Sequence, residues 1–162
     1  MRHLKDRESK QIIKEFMARF PASTSSLNSI KHLEKDIVED NVVFFADDKP
    51  WIVRIQNRLL PSLKYDQVLV TLPRIVVDMG AVPHIANGAQ IMRPGIRQIE
   101  GHFNADGLVV IVDEKYQKFI ALGIAEMDSE QMRSMTKGRV IDNIHYVGDP
   151  LWKSFNLSNK LE

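Results

Sequence analysis

Five chain-breakers fall between residues 78 and 96, in DMGAVPHIANGAQIMRPGI: Gly80, Pro83, Gly88, Pro94 and Gly95. Glycine loses the most conformational freedom on ordering and proline has no amide hydrogen, so no helix or strand runs far through such a stretch. It must fold as a succession of short pieces. Asp78 is placed to cap a helix starting near Gly80, with Pro83 in the first turn, where an amide hydrogen has little intrahelical use. That helix is expected to run through Asn87 and to end at Gly88 in a left-handed conformation. Ala89 to Met92 then predicts a strand, and Pro94-Gly95 a type II turn. A compact helix–strand joint explains every glycine. A functional reading adds that Gly88 and Ala89 carry almost no side chain, which leaves their amides open to a ligand.

Strand signals surround the joint. Downstream, DGLVVIVDEKYQKFIALGIAEM (106–127) places two apolar runs around Asp113-Glu114-Lys115. This predicts a long hairpin whose members pack on both faces or close a small barrel. In DSEQMRSMTKG (128–138), Asp128 and Gln131 have capping-box spacing, so a short helix is expected with Gly138 as its stop. Met127, Met132 and Met135 are packing residues around it. RVIDNIHYV (139–147) alternates apolar and polar residues as a last strand, with Trp152 as a plug beneath it.

Upstream, Ile12, Ile13, Phe16, Met17 and Phe20 recur at the three and four spacing of one helical face across 7–20, and Pro21 ends that helix. Residues 30–40 fit a strand or a short amphipathic segment equally. NVVFFADDKPWIVRI (41–55) predicts a hairpin of 41–46 with 51–56, turning through Asp47 to Pro50. Residues 57–67, broken by Pro61, are expected as a loop with one or two helical turns. The pattern changes at Pro73-Arg74, where a domain boundary is placed. Alternation sends Phe44 and Phe45 to opposite faces of their strand, one to the core and the other to a domain seam or a protein-binding surface.

Catalytic chemistry has little foothold. With no cysteine the chain has no disulfide, thiolate ligand or thiol nucleophile. His3, His32, His84, His102 and His145 are scattered, none paired at metal-ligand spacing, so neither a metal nor a cofactor is expected. The serines at 23–26 lack a nucleophile elbow, and no phosphate loop occurs. Asp47-Asp48 and Asp113-Glu114 are acidic pairs, but they lie at hairpin turns, where such residues serve the backbone. No run reaches the roughly 18–20 apolar residues of a membrane span, and the N-terminus lacks a signal peptide's apolar core, so a cytoplasmic protein is expected. The net charge of +1 neither demands nor excludes nucleic acid; any basic surface must come from clustering.

Gly80-Ala81, Gly88-Ala89, Ile91-Met92 and Pro94-Gly95-Ile96, at these spacings, resemble the opening signature of the PUA domain shared by pseudouridine synthases and archaeosine transglycosylases. The likeness continues through residues 119–152, which are similar to the C-terminal half of the malignant T-cell amplified sequence and ligatin-like translation factors, and it suggests an archaeal member. The resemblance implies an α+β chain. A small N-terminal α/β domain (1–74) precedes a PUA-like β pseudobarrel (75–156) and a tail (157–162). It further implies a non-catalytic protein that binds structured RNA, tRNA or small-subunit rRNA, in translation initiation or ribosome recycling, with the small ribosomal subunit or a translation factor as possible partner. An accessory subunit for tRNA or rRNA modification and a protein–protein adaptor without RNA binding are the alternatives. Carried over residue by residue, Gly88, Ala89, Gln90, Ile91 and Met92 line the groove with Arg93 beside it, and Ile144, His145 and Tyr146 lie on the closing strand. Arg97, Lys137, Arg139 and Lys153 are candidate cations around it. RNA held this way is read through phosphates, 2′-hydroxyls and stacking.

Overall fold

In the computed structural model the described residues run from Arg2 to Lys160, with side chains described as far as Asn156. The chain divides into two compact units. One holds the chain up to Thr71 together with the segment from Pro150 onward, and the other is Leu72–Asp149. The break after Thr71 falls close to the expected boundary, but the C-terminal segment returns to the first unit. The last two residues of the expected tail lie outside the described residues.

The first unit is an antiparallel meander beside helices. Its strands are β1 (Arg2–His3), β2 (Leu33–Val38), β3 (Asn41–Ala46), β4 (Lys49–Ile55) and β5 (Arg58–Pro61), hydrogen-bonded in that order. The segment left open between strand and helix is thus β2. The β3–β4 turn is tighter than expected, because Asp47 and Asp48 both take positive φ (48° and 65°) and Lys49-Pro50 already belong to β4. Two left-handed central residues give the turn twist that matches paired strands. Gln56-Asn57 repeats the device (52° and 64°) and sends Arg58–Pro61 back along β4, where a loop was expected. Proline is tolerated there because β5 is an edge strand.

Helix α1 (Asp6–Arg19) buries Ser9, Ile13 and Phe16. Two short helices, α2 (Thr24–Leu27) and α3 (Asp66–Leu69), complete this side, and the core gathers Phe16, Leu27, Leu33, Phe44, Ile52 and Tyr65. Phe45 points the other way with Val43 and is equally buried, so neither phenylalanine presents a free surface. The C-terminal helix, labelled α6 below, spans Pro150–Lys160 and buries Leu151 and Phe155. Trp152, expected as a plug beneath the last strand, thus belongs to the first unit. It lies under the Lys64 ammonium, 4.1 Å from the ring centre, and 6.1 Å from the Phe155 ring.

The second unit contains β6 (Arg74–Val77), α4 (Val82–Ile85), β7 (Ile91–Met92), β8 (Ile96–Glu100), β9 (Leu108–Asp113), β10 (Phe119–Ala125), α5 (Ser129–Ser134) and β11 (Arg139–Tyr146). Its six strands are ordered β7-β11-β10-β9-β6-β8, with β6 parallel to β9 and every other pairing antiparallel. Strands β7 and β8 are the two ends of that order, yet only Arg93–Gly95 separates them in the chain. Five inter-strand spacings in a flat sheet measure about 24 Å, whereas four residue steps reach at most about 14 Å. The sheet must curl until its edges nearly meet, and this makes it a pseudobarrel. Ile75, Val109, Ile111, Ala121 and Ile141 fill it.

Helix α5 begins as expected, with Asp128 accepting from the Gln131 amide at 2.8 Å, but it stops at Ser134. Gly138 (φ +93°) instead turns the chain into β11. No helix among the described residues is long and apolar enough to cross a membrane.

Candidate nucleic-acid interface

The breaker-rich stretch closes the barrel. Asp78 accepts the Ala81 amide at 2.8 Å and tightens the turn ahead of α4, with Pro83 in the first turn. Helix α4 ends sooner than expected, through a two-bond stop. Gly88 (φ +92°) donates to Ile85 at 3.0 Å and Ala89 donates to His84 at 3.0 Å. The amides expected to be open to a ligand are therefore engaged by the helix end itself. Only Ile91–Met92 is strand, pairing with β11 at Ile141 and Arg139. Gly95 does not take positive φ, so Arg93–Gly95 is a 3-10 turn and not type II. Gly95 is needed there for closeness: a Cβ would stand 3.3 Å from that of Ala81.

These pieces leave a groove of about 360 Å³ lined by Val77, Ala81, His84, Ile85, Ala89, Gln90, Ile91, Met92 and Gly95. That size falls within the range of small-ligand sites. Its walls are apolar, and no carboxylate lines it. Met92 stands at the rim, 49% exposed, while Ile91 is buried. Gln90 is locked on both sides of its amide: Nε2 donates to Asp142 at 3.0 Å and Oε1 accepts the Asn143 backbone amide at 2.6 Å. The Asn143 side chain donates to the carbonyls of Ile85 and Ala89 (3.1 and 3.0 Å), tying the end of α4 to β11. Tyr146 lies close against Gly88, and a Cβ there would come 3.1 Å from its hydroxyl.

The structure thus brings together Gly88, Ala89, Gln90, Ile91, Met92 and Tyr146, with Ile144 half-buried on the same closing strand. Other expected residues have different work. His145 is fully buried, with Nδ1 2.8 Å from Asp149, so it braces the end of β11 and does not face a ligand. The Arg93 guanidinium donates to the carbonyls of Met132 (2.9 Å) and Ile96 (3.3 Å), clamping the 3-10 turn. Arg97 pairs with Glu114 at 3.4 Å and Arg139 with Glu126 at 2.8 Å. Lys137 is exposed beside Gly138. Lys153 is on α6, in the other unit. Sequence reasoning missed Val77, Ala81, His84, Ile85 and Gly95 as groove residues. Their signal was available in the short apolar helix facing the small residues Ala89 and Gly95.

A family model described as the PUA domain matches residues 73–147, which is nearly the whole second unit. A protein of Methanocaldococcus jannaschii is 33% identical over 92% of this chain and 93% of its own. Malignant T-cell-amplified sequence 1 of Rattus norvegicus is 30% identical over 92% of this chain and 87% of its own. The chain belongs to the malignant T-cell amplified sequence family of PUA-domain proteins. Translation machinery-associated protein 20 of Saccharomyces cerevisiae, another relative in this family, is 30% identical over 66% of this chain and 68% of its own. A crystal structure of a Pyrococcus horikoshii protein matches with a TM-score of 0.76 at 28% identity, covering 94% of this chain and 98% of that one. Family membership therefore extends over the N-terminal unit, whose sequence carries the weaker likeness. The domain is of the RNA-binding kind, and the family includes proteins associated with the translation machinery.

Proposed function

We propose that this protein binds structured RNA, tRNA or small-subunit rRNA, through the groove between α4 and β7, in translation initiation or ribosome recycling and without chemistry of its own. The observation that carries the reading is the groove: open, apolar, free of carboxylate and built from the matched segment. An apolar cleft of this size accepts the flat face of a base, and an exposed end or loop supplies one. The association of translation machinery-associated protein 20 with translation supports that setting over RNA modification. Ala89 and Met92 make the contacts in this reading, with Tyr146 against Gly88 beside them; Gln90 and Asn143 hold the walls.

The test is binding of the whole chain to tRNA and to small-subunit rRNA fragments. Affinity should fall with rising salt. Met92→Glu, which places a carboxylate at the rim without disturbing a buried residue, should weaken Kd at least tenfold, about 1.4 kcal/mol. Unchanged affinity in a folded Met92→Glu protein would overturn the proposal. Arg93→Glu, which sequence alone singles out, is the poorer probe. It breaks the clamp on the 3-10 turn and confounds folding with contact.

A further inference from the structure

The charge of the two units is unequal. Residues 72–149 carry eight Lys and Arg against ten Asp and Glu, net −2, whereas the remainder carries fourteen against eleven, net +3. Within the second unit the arginines are already engaged. Arg74, Arg97, Arg133 and Arg139 meet carboxylates and Arg93 meets carbonyls, while Lys115 and Lys118 sit over the Tyr116 ring. Lys137 is exposed and meets no carboxylate among the described residues, but an acidic unit whose other cations are engaged is a poor source of the phosphate contacts that dominate affinity for RNA.

Helix α1 shows the opposite pattern. Arg7, Lys10 and Lys14 follow one another at spacings of three and four, so they form one stripe, and all three are exposed. None pairs with a carboxylate among the described residues. Glu8 and Glu15 lie on a neighbouring line, and Asp6, one turn ahead of Lys10 on the same row, is turned to His32 at 2.7 Å. Like charges at these spacings weaken a helix, so helix stability does not account for the stripe. The buried face of α1 is Ser9, Ile13 and Phe16, which leaves the stripe pointing away from the core. The stripe spans seven residue steps, about 10 Å of helix.

We infer that the outer face of α1, through Arg7, Lys10 and Lys14, is a second RNA contact that binds the phosphate backbone without reading sequence. It rests on the RNA-binding reading above and supplies the electrostatic part that the groove lacks. The groove selects an exposed base; the stripe holds the chain of phosphates.

The experiment compares the whole chain, its Arg7→Gln/Lys10→Gln/Lys14→Gln variant and Met92→Glu for binding to tRNA over a salt series. The triple variant should weaken Kd at least tenfold at low salt and flatten the plot of log affinity against log salt by about 2 to 3. Its melting temperature should be unchanged or raised, since like-charge neighbours are removed. A folded triple variant that keeps the wild-type slope overturns the inference, whatever its affinity. If Met92→Glu is weakened at the same time, the groove reading stands alone, and the stripe is a solvated face or a site for an acidic protein. A wild-type chain that binds no RNA at any salt overturns both.

Discussion

At the residue scale, Asp113 and Arg93 are committed to the backbone. Asp113 is 3% exposed at the end of β9 and accepts the amides of Lys115 (2.9 Å), Lys118 (3.0 Å) and Tyr116. Burial by itself would raise its carboxyl, but the gathered amides of Tyr116, Lys118, Lys115 and Gln117 outweigh it and hold the group below the usual aspartate range. A lowered value in the folded chain means that the stabilisation is fully present above about pH 4 and is lost as pH falls through the folded value. Asp113→Asn should remove that dependence, because its amide nitrogen would face another donor at Lys118, and should cost about 1–3 kcal/mol at neutral pH. Urea unfolding midpoints followed into acid check this: the variant's curve should lie lower and flatter. Turn chemistry at Asp113 was legible in the sequence from its place between two apolar runs. The role of Arg93 was not, since its partners are carbonyls 39 and 3 residues away that only the folded chain brings together.

At the scale of elements, the register of β10 and β11 depends on one missing side chain. Their pairing slips between Leu122 and Gly123. A Cβ on Gly123 would fall 2.2 Å from Ile141 Cγ2 and 3.2 Å from the Asp142 carbonyl. Gly123→Ala should therefore destabilise by overpacking, by about 1–3 kcal/mol, in thermal unfolding. Because Asp142 and Asn143 on the displaced strand fix Gln90, RNA affinity should fall as well. The long strands and α1 were legible because their periodicity extends over many residues. Strands β6 and β8 were not: RIVV and IRQIE are four and five residues long, and their partners lie in distant segments. Propensity in so short a window does not outweigh tertiary pairing.

At the scale of the whole molecule, the C-terminal helix belongs to the unit the chain left some eighty residues earlier. Leu151 and Phe155 are each 1% exposed, and each buried side chain of this size contributes about 1.5–3 kcal/mol. Ending the chain after Asp149 should therefore remove roughly 3–6 kcal/mol from the first unit. The measurement is hydrogen exchange: protection should fall across β2 to β5 and persist across β9 to β11. Equal loss in both units would show that the two unfold together. The return of α6 also makes Lys153 part of the first unit, whereas the groove belongs to the second.

The sequence by itself determined the longer periodic pieces and which family they make, because breakers, caps and apolar spacing act over a few residues at a time. It placed the left-handed residue at Gly88 and the cap at Asp128. Only the tertiary structure decided that the sheet curls shut through Arg93–Gly95, that His145 and Arg93 are taken up by Asp149 and by backbone carbonyls, and that the cations of α1 form a stripe without carboxylate partners among the described residues. Those outcomes depend on which distant groups meet, and long-range pairing leaves no period in the chain to read.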